Sequence, residues 1–294
     1  MASRPTPYRG RFAPSPTGPL HLGSLVAAVA SYLDARHHGG TWLVRMENID
    51  PPREPAGAAD AILHSLQQHG LCWDEDILWQ GDRSAAYEAA LATLGANGHL
   101  FQCTCTRRAM GPSGSCAGQC RSRQGALDSP AASRLAVAAT TDITFDDIWQ
   151  GRQHWPLGQS VHDFPVLRKD GLYAYQLAVV VDDAEQGINH VIRGSDLLDS
   201  TPRQIYLQDL LGLATPTYGH FPVVLNREGY KLSKQTGALA IDDARASENL
   251  RLALDLLRQE APPVDLETPE DLLGFAAASW SRAGIPAGLA FPID

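Results

Sequence analysis

The chain has 294 residues, with 24 Lys and Arg against 33 Asp and Glu and 44% apolar residues. That length suits about two domains and buries roughly three quarters of the unfolded surface, so folding needs no disulfide staples. A formal charge of −9 argues against indiscriminate coating of polyanions, while leaving room for one RNA held on a local basic face.

Met1 to Pro14 lacks the apolar run of a signal peptide, and the uncharged stretch Phe12 to Leu33 is broken by Pro14, Pro16, Pro19 and His21. No membrane span and a cytoplasmic location are therefore expected. Arg9 to Ala13 reads as a short strand entering the turn Pro14-Ser15-Pro16-Thr17-Gly18-Pro19. Leu22, Leu25, Val26, Val29 and Leu33 then fall at helical spacing, and Gly39-Gly40 ends that helix. A second strand starts at Thr41-Trp42-Leu43-Val44 and runs into Arg45, Glu47 and Asp50. Strand, helix, strand in this order is a βαβ unit with parallel strands and a right-handed crossover.

Two more helices are predicted near 56–69 and 83–95, ahead of a segment carrying four of the five cysteines. From Arg134 to about Val181 the pattern is strand-like. Leu177-Ala178-Val179-Val180-Val181 is the continuous apolar run expected of a strand buried on both faces. His190-Val191-Ile192 predicts a further strand leading to Arg193-Gly194-Ser195-Asp196, and Thr201-Pro202 opens a helix through Leu211. In the tail, Leu250, Ala253, Leu254 and Leu257 share one helical face, and Thr268-Pro269-Glu270-Asp271 starts another helix. The class is α/β. Its parallel sheet is split, half before residue 100 and half after about 175, with ligands expected where strands end.

Charge is unevenly placed. Ile241 to Asp294 holds ten acids and four arginines, whereas Ala89 to Leu127 has Arg107, Arg108, Arg121 and Arg123 and no acid. If a nucleic acid touches the chain, the second stretch is a better candidate than the first, and a solvated loop is the plainer reading of such a charge run. In that second stretch, Cys103, Cys105, Cys116 and Cys120 make a Cys-x-Cys and a Cys-x3-Cys pair, ten residues apart. Their crowding points to metal rather than disulfides. Four thiolates match tetrahedral Zn2+ with no position left for catalysis, so one structural zinc per chain is expected. Cys72 lies apart and reads as a small buried apolar residue.

Two short motifs carry chemistry. Across Arg11-Phe12-Ala13-Pro14-Ser15-Pro16-Thr17-Gly18-Pro19-Leu20-His21-Leu22-Gly23-Ser24 a strand ends, prolines stiffen the turn, and a helix begins. Its N–H groups suit phosphate, and Gly23 lets a nucleotide approach the backbone. In Lys231-Leu232-Ser233-Lys234-Gln235 two lysines three apart can meet charge developing on phosphates during transfer. Either motif alone is weak, a capped turn or a solvated loop. Together, on a split parallel sheet, they resemble the class I aminoacyl-tRNA synthetases. His21-Leu22-Gly23-Ser24 is similar to the HIGH motif of that family, and Lys231 to Gln235 to its KMSKS motif with Gln replacing the last Ser. The opening Arg11 to Gly18, with Asp163-Phe164-Pro165-Val166-Leu167, Asp170 to Tyr175, Val180 to Asp183 and His190 to Gly194, resembles the glutamyl type over about residues 9–240.

The resemblance implies a Rossmann-type (HUP-like) parallel-sheet core in two halves, 1–100 and 176–236. It also implies a zinc-binding insertion at 101–175 and a short, acidic helical region at 237–294. It implies L-glutamate bound by Arg11, Phe12, Ala13, Pro14, Ser15, Glu47, Tyr175 and Arg193. Arg11 and Arg193 would be the carboxylate-binding cations, Glu47 the ammonium partner and Tyr175 a hydroxyl partner. ATP with Mg2+ falls to His21, Gly23, Ser24 and Lys234, and catalysis to His21, Lys231 and Lys234. Arg45–Glu47 and Arg193–Asp196 read, more plainly, as ion pairs at strand ends. Asp50, Asp182 and Asp183 stay open between ligand contact, loop capping and Mg2+. Full glutamyl-tRNA synthetases carry a large anticodon-binding domain where this sequence has only 237–294. In that respect the chain is similar to short glutamyl-type enzymes, which activate glutamate without tRNA. Those enzymes attach it to queuosine, the modified wobble base of tRNA(Asp). The alternatives are a short enzyme charging the acceptor end of tRNA(Glu) and a catalytically dead zinc-containing RNA-binding module. A monomer is expected.

Overall fold

The predicted βαβ unit is formed by β1 (Arg9–Phe12), α1 (Leu22–His37) and β2 (Thr41–Met46), with β1 and β2 parallel and Arg9 opposite Thr41. The computed structural model describes residues 6–110, 116, 119–123, 129–138, 142–225 and 239–292. After α2 (Ala58–Gln68), β3 (Leu78–Trp79) adds a third parallel strand beside β2, and α3 (Ser84–Ala96) follows. Next come β4 (Leu100–Cys103), the short α4 (Arg107–Met110), β5 (Ala132–Leu135), the hairpin strands β6 (Asp142–Asp147) and β7 (Gly151–Pro156), and β8 (Phe164–Leu167). Then follow α5 (Tyr175–Glu185), β9 (His190–Gly194), α6 (Thr201–Leu211), β10 (Thr217–Phe221) and β11 (Val223–Leu225). The tail supplies α7 (Ala246–Leu256), α8 (Pro269–Ser279) and β12 (Ala290–Pro292), the last parallel to β11.

Two sheets make the core. The first is ordered β1-β2-β3 and the second β7-β6-β10-β9, with β6, β10 and β9 parallel. They meet where β1 lies beside β9, and Asn189 N–H donates to the Arg9 carbonyl at 3.1 Å. Strands β4, β5 and β8 form a separate antiparallel sheet. Residues 101–175 therefore do not coincide with one sheet, because β6 and β7 extend the parallel one.

Two expectations are overturned. Leu177 to Val181 is not a strand but the middle of helix α5, buried from Leu177 to Val180 and packed against α3 and α6. A helix covered on several sides needs no polar face, so its apolar run looks like that of a doubly buried strand. Cys72 is likewise exposed rather than buried; it lies in the loop after α2, outside either core.

One apolar core joins α1 (Leu25, Val26) to Leu250 of α7 and Leu272 of α8; the other joins Tyr87, Leu177, Leu207 and Tyr218. The predicted face Leu250, Ala253, Leu254 and Leu257 is buried as its spacing requires. Asp34 pins the tail to α1. Its carboxylate accepts from Tyr8 Oη (2.5 Å), Trp280 Nε1 (3.0 Å) and Arg282 Nε and Nη2 (2.7 and 2.8 Å). Burial opposes ionisation there, but the Arg282 and Tyr8 hydrogen bonds hold the carboxyl below its ordinary pKa.

Candidate active site

The carboxyl ends of β1, β2 and β9 and the first residue of α5 converge on a cavity of about 420 Å3, the position expected for a ligand in an open α/β sheet. Arg11, Phe12, Ala13, Pro14, Ser15, His21, Gly23, Ser24, Glu47, Tyr175 and Arg193 all line it. The structure thus gathers the described residues singled out for glutamate and ATP into one place. Lys231 and Lys234 lie outside the described residues. Both flanks of their segment abut the cavity: Val223 and Val224 line it, and Ala240 bridges to His21.

His21 is the N-cap of α1, its Nδ1 accepting from Ser24 N–H at 3.2 Å and its Nε2 lying 3.0 Å from Ser24 Oγ. A side chain so placed marks the helix N-terminus, where remaining N–H groups and the dipole favour anions.

The side chains of Arg11, Arg45, Glu47, Asp183 and Arg193, at and beneath the cavity, are almost fully buried. Arg11 donates from Nε and Nη2 to the two oxygens of Asp183 at 3.0 and 3.4 Å, and Arg45 Nη2 lies 2.7 Å from Asp183 Oδ1. Burial disfavours the Asp183 charge, but Arg11 and Arg45 outweigh it and hold the carboxyl below its ordinary pKa. Glu47 is worse served. It is 6% exposed, its contact to Arg45 is 3.7 Å long, and its Oε1 accepts no hydrogen bond. Burial pushes its carboxyl up to about 7, against the pull of Arg45 and Arg11.

Arg193 has the opposite deficiency. It is 5% exposed, and among the described residues no carboxylate pairs with it; the plainer alternative, an Arg193–Asp196 pair, is not among its contacts. Its donors go to neutral groups: Nε to His220 Nε2 (2.9 Å), Nη2 to Thr201 Oγ1 and Gln204 Oε1 (both 2.9 Å), and Nη1 to Tyr175 Oη (3.4 Å). His220 in turn places Nδ1 2.6 Å from Asp147 Oδ2. Sequence reading missed His220, Asp147, Thr201 and Gln204. The available signal was a lone histidine in the apolar run Tyr218 to Phe221, beside the predicted strand carrying Arg193.

The three aspartates left open are all engaged by protein. Asp50 pairs with Arg53 and Arg168, Asp183 with Arg11 and Arg45, and Asp182 accepts from Gln80, Arg83 and Tyr87. On the far side of Ser15, Glu47 and Tyr175 lies a second cavity of about 780 Å3, bordered by Arg53, Arg168 and Lys169 and reaching Cys103 and Cys105.

The cysteines do cluster. The Sγ atoms of Cys103, Cys105, Cys116 and Cys120 all lie within 4.8 Å of one another, and Cys105 and Cys120 are 3.6 Å apart. A tetrahedron with Zn–S bonds of about 2.3 Å has S···S edges near ~3.8 Å, so these four fit a closed zinc site and leave no ligand position open.

Residues 8–258 match the sequence model of the tRNA synthetases class I (E and Q), catalytic domain. The glutamyl-Q tRNA(Asp) synthetase of Methylococcus capsulatus is 50% identical over 287 residues, covering 96% of this chain and 94% of that protein. The protein of the same name from Burkholderia cenocepacia is 51% identical over 291 residues, covering 94% and 96%. The fold matches the crystal structure of a glutamate tRNA ligase from Elizabethkingia meningosepticum, in complex with its amino acid, with a TM-score of 0.81 at 23% identity over 98% of this chain and 67% of that one. The chain therefore belongs to the glutamyl- and glutaminyl-type class I tRNA synthetases, in the group of the glutamyl-Q tRNA(Asp) synthetases.

Proposed function

We propose that this protein is an ATP-dependent ligase that activates L-glutamate to glutamyl-adenylate without tRNA and transfers glutamate to the queuosine base of tRNA(Asp). One observation carries the reading of the amino-acid site: a buried guanidinium with no acid, Arg193, shares a cavity with a buried carboxylate with no donor, Glu47. Each lacks what a zwitterionic amino acid supplies. The cavity is lined by the cations Arg11 and Arg193 and the carboxylates Glu47 and Asp196. A ligand with two carboxylates and one ammonium can engage both arginines and Glu47, which favours the dicarboxylic acid over glutamine.

In the activation step an oxygen of the glutamate α-carboxylate forms a bond to the α-phosphorus of ATP, and the bond from that phosphorus to the bridging oxygen breaks, releasing pyrophosphate. ATP enters as its Mg2+ complex. His21 and the start of α1 bind phosphate, Gly23 and Ser24 admit the nucleotide, and Lys231 and Lys234 meet the charge that builds on the phosphates. A hydroxyl on the queuosine then attacks the activated carbonyl and AMP leaves. Zinc bound by the four cysteines would brace the segment beside the second cavity. Arg53, Arg168 and Lys169 border that cavity together with Asp50, Glu54 and Asp170, so an RNA phosphate there would meet cations already shared with acids. The protein acts as a monomer in the cytoplasm, where ATP and tRNA are found.

The test is glutamate-dependent ATP–pyrophosphate exchange without tRNA, followed by transfer of labelled glutamate to tRNA(Asp) with and without queuosine. Exchange with glutamate alone, and labelling only of queuosine-containing tRNA even after its 3′ end is oxidised, supports the reading. Labelling of tRNA(Glu) that needs an intact 3′ end makes it a conventional charging enzyme.

A further inference from the structure

We propose that His220, held by Asp147, is a positioning residue that aims Arg193 at the substrate carboxylate while leaving the guanidinium charge unpaired. The inference deepens the amino-acid site described above and rests on that reading.

The three residues occupy the carboxyl ends of adjacent parallel strands. In register, Arg193 of β9 stands opposite His220 of β10, and β10 pairs with β6, whose last residue is Asp147. Asp147 is the fixed end of the chain. Its Oδ1 accepts from the backbone N–H groups of Trp149, Gln150 and His220 at 3.0, 3.0 and 3.1 Å, and its Oδ2 faces His220 Nδ1. A carboxylate with that many donors cannot swing away, so it fixes the imidazole.

Geometry also settles the proton. Arg193 Nε is a donor only, and at 2.9 Å it requires a lone pair on His220 Nε2. The imidazole must therefore be neutral with its proton on Nδ1, given to Asp147. Burial favours the same state, lowering the His220 pKa to about 4.

The consequence lies in what is interposed. Had Asp147 touched Arg193 directly, the two charges would cancel and the cavity would lose its attraction for an anion. A neutral imidazole between them passes on the orientation without the charge. Thr201 and Gln204 hold Nη2 by the same neutral means. Of the five N–H donors of a guanidinium, one on Nη1 is left for a ligand, next to Tyr175. Arg11 is the contrast within the same cavity, since Asp183 grips it with both oxygens.

The experiment compares the full chain with H220L and H220Q in the exchange assay, with melting curves to verify folding. His220→Leu removes the acceptor and raises KM for glutamate roughly 10- to 100-fold, the weight of a hydrogen bond to a charged group, with KM for ATP within about two-fold. His220→Gln carries a donor and an acceptor like the neutral imidazole, and recovers most of the loss. Unchanged glutamate KM in H220L, or equal losses for glutamate and ATP, overturns the proposal. A second measurement stands even where the variants fail to fold. In wild-type protein with 15N-labelled histidine, the His220 resonances should show a protonated Nδ1 and bare Nε2 at pH 7, and both should move when glutamate is added. An Nε2–H tautomer or an imidazolium at that pH overturns it. If wild-type protein supports no glutamate-dependent exchange, the functional reading fails while the tautomer result stands independently.

Discussion

Glu47 should make glutamate binding depend on pH between about 6 and 8. Its carboxyl is pushed up to about 7 by burial, which outweighs the pull of Arg45 at 3.7 Å and of Arg11, and among the described residues its Oε1 accepts no hydrogen bond. The ammonium of the substrate needs the ionised form. Affinity is therefore full above pH 7 and falls as protons neutralise the carboxylate below it. When only a fraction of molecules is competent, the apparent dissociation constant rises by the inverse of that fraction. With half-titration near 7, roughly nine tenths of Glu47 is charged at pH 8 and one tenth at pH 6, so KM for glutamate should rise about ten-fold across that interval. Exchange kinetics at saturating ATP measure this directly, since the glutamate ammonium and carboxylates do not titrate there. Glu47→Gln should bind glutamate weakly at every pH and lose the slope. A KM that stays flat from pH 8 to 6, or a slope that survives in E47Q, would refute the reasoning.

Other perturbations address separate parts of the molecule. Arg193→Ala leaves a substrate carboxylate without its cation, costing about 3–5 kcal/mol of glutamate binding; equal exchange with glutamine in the intact enzyme would sink the pocket assignment. Lys234→Ala should lower the exchange rate far more than it raises glutamate KM, because its charge matters at the transition state, and an unchanged rate at saturating ATP would make that lysine structural. Metal analysis should find one zinc per chain, with Cys116→Ser losing metal and RNA labelling before exchange; protein purified without chelators and free of zinc would count against the site. Asp34→Ala should destabilise the fold by roughly 2–4 kcal/mol, less than a fully buried pair since Arg282 is partly exposed, and an unmoved urea midpoint would show that the tail needs no such anchor.

What the sequence made legible was local. The turn from Pro14 to Pro19, the helical spacing of Leu22 to Leu33 and the βαβ order all depend on neighbours along the chain, and they stand in the structure as β1, α1 and β2. Leu177 to Val181 was not legible because an apolar run of five fits a buried helix as well as a buried strand. Successive residues of a helix point about 100° apart, which lets Asp182 reach Gln80 and Tyr87 on one side while Asp183 meets Arg11 and Arg45 on another.

The pocket was legible as a set of residues but not as a distribution of charge. Resemblance to the glutamyl type assigns Arg11 and Arg193 the same role, and nothing in their local sequence tells them apart. The difference comes from pairings between elements far apart in the chain. Helix α5 carries Asp183 back to β1 and cancels Arg11, whereas β10 sets the neutral His220 beside Arg193. A buried cation whose partners are all neutral is costly to fold around, and that cost is the argument for the ligand carboxylate proposed there. Glu47 is the converse, a buried acid without a donor. Of the two arginines, then, Arg193 is the one without a carboxylate partner among the described residues, and it lines the same cavity as Glu47, which is the juxtaposition the proposed amino-acid site rests on.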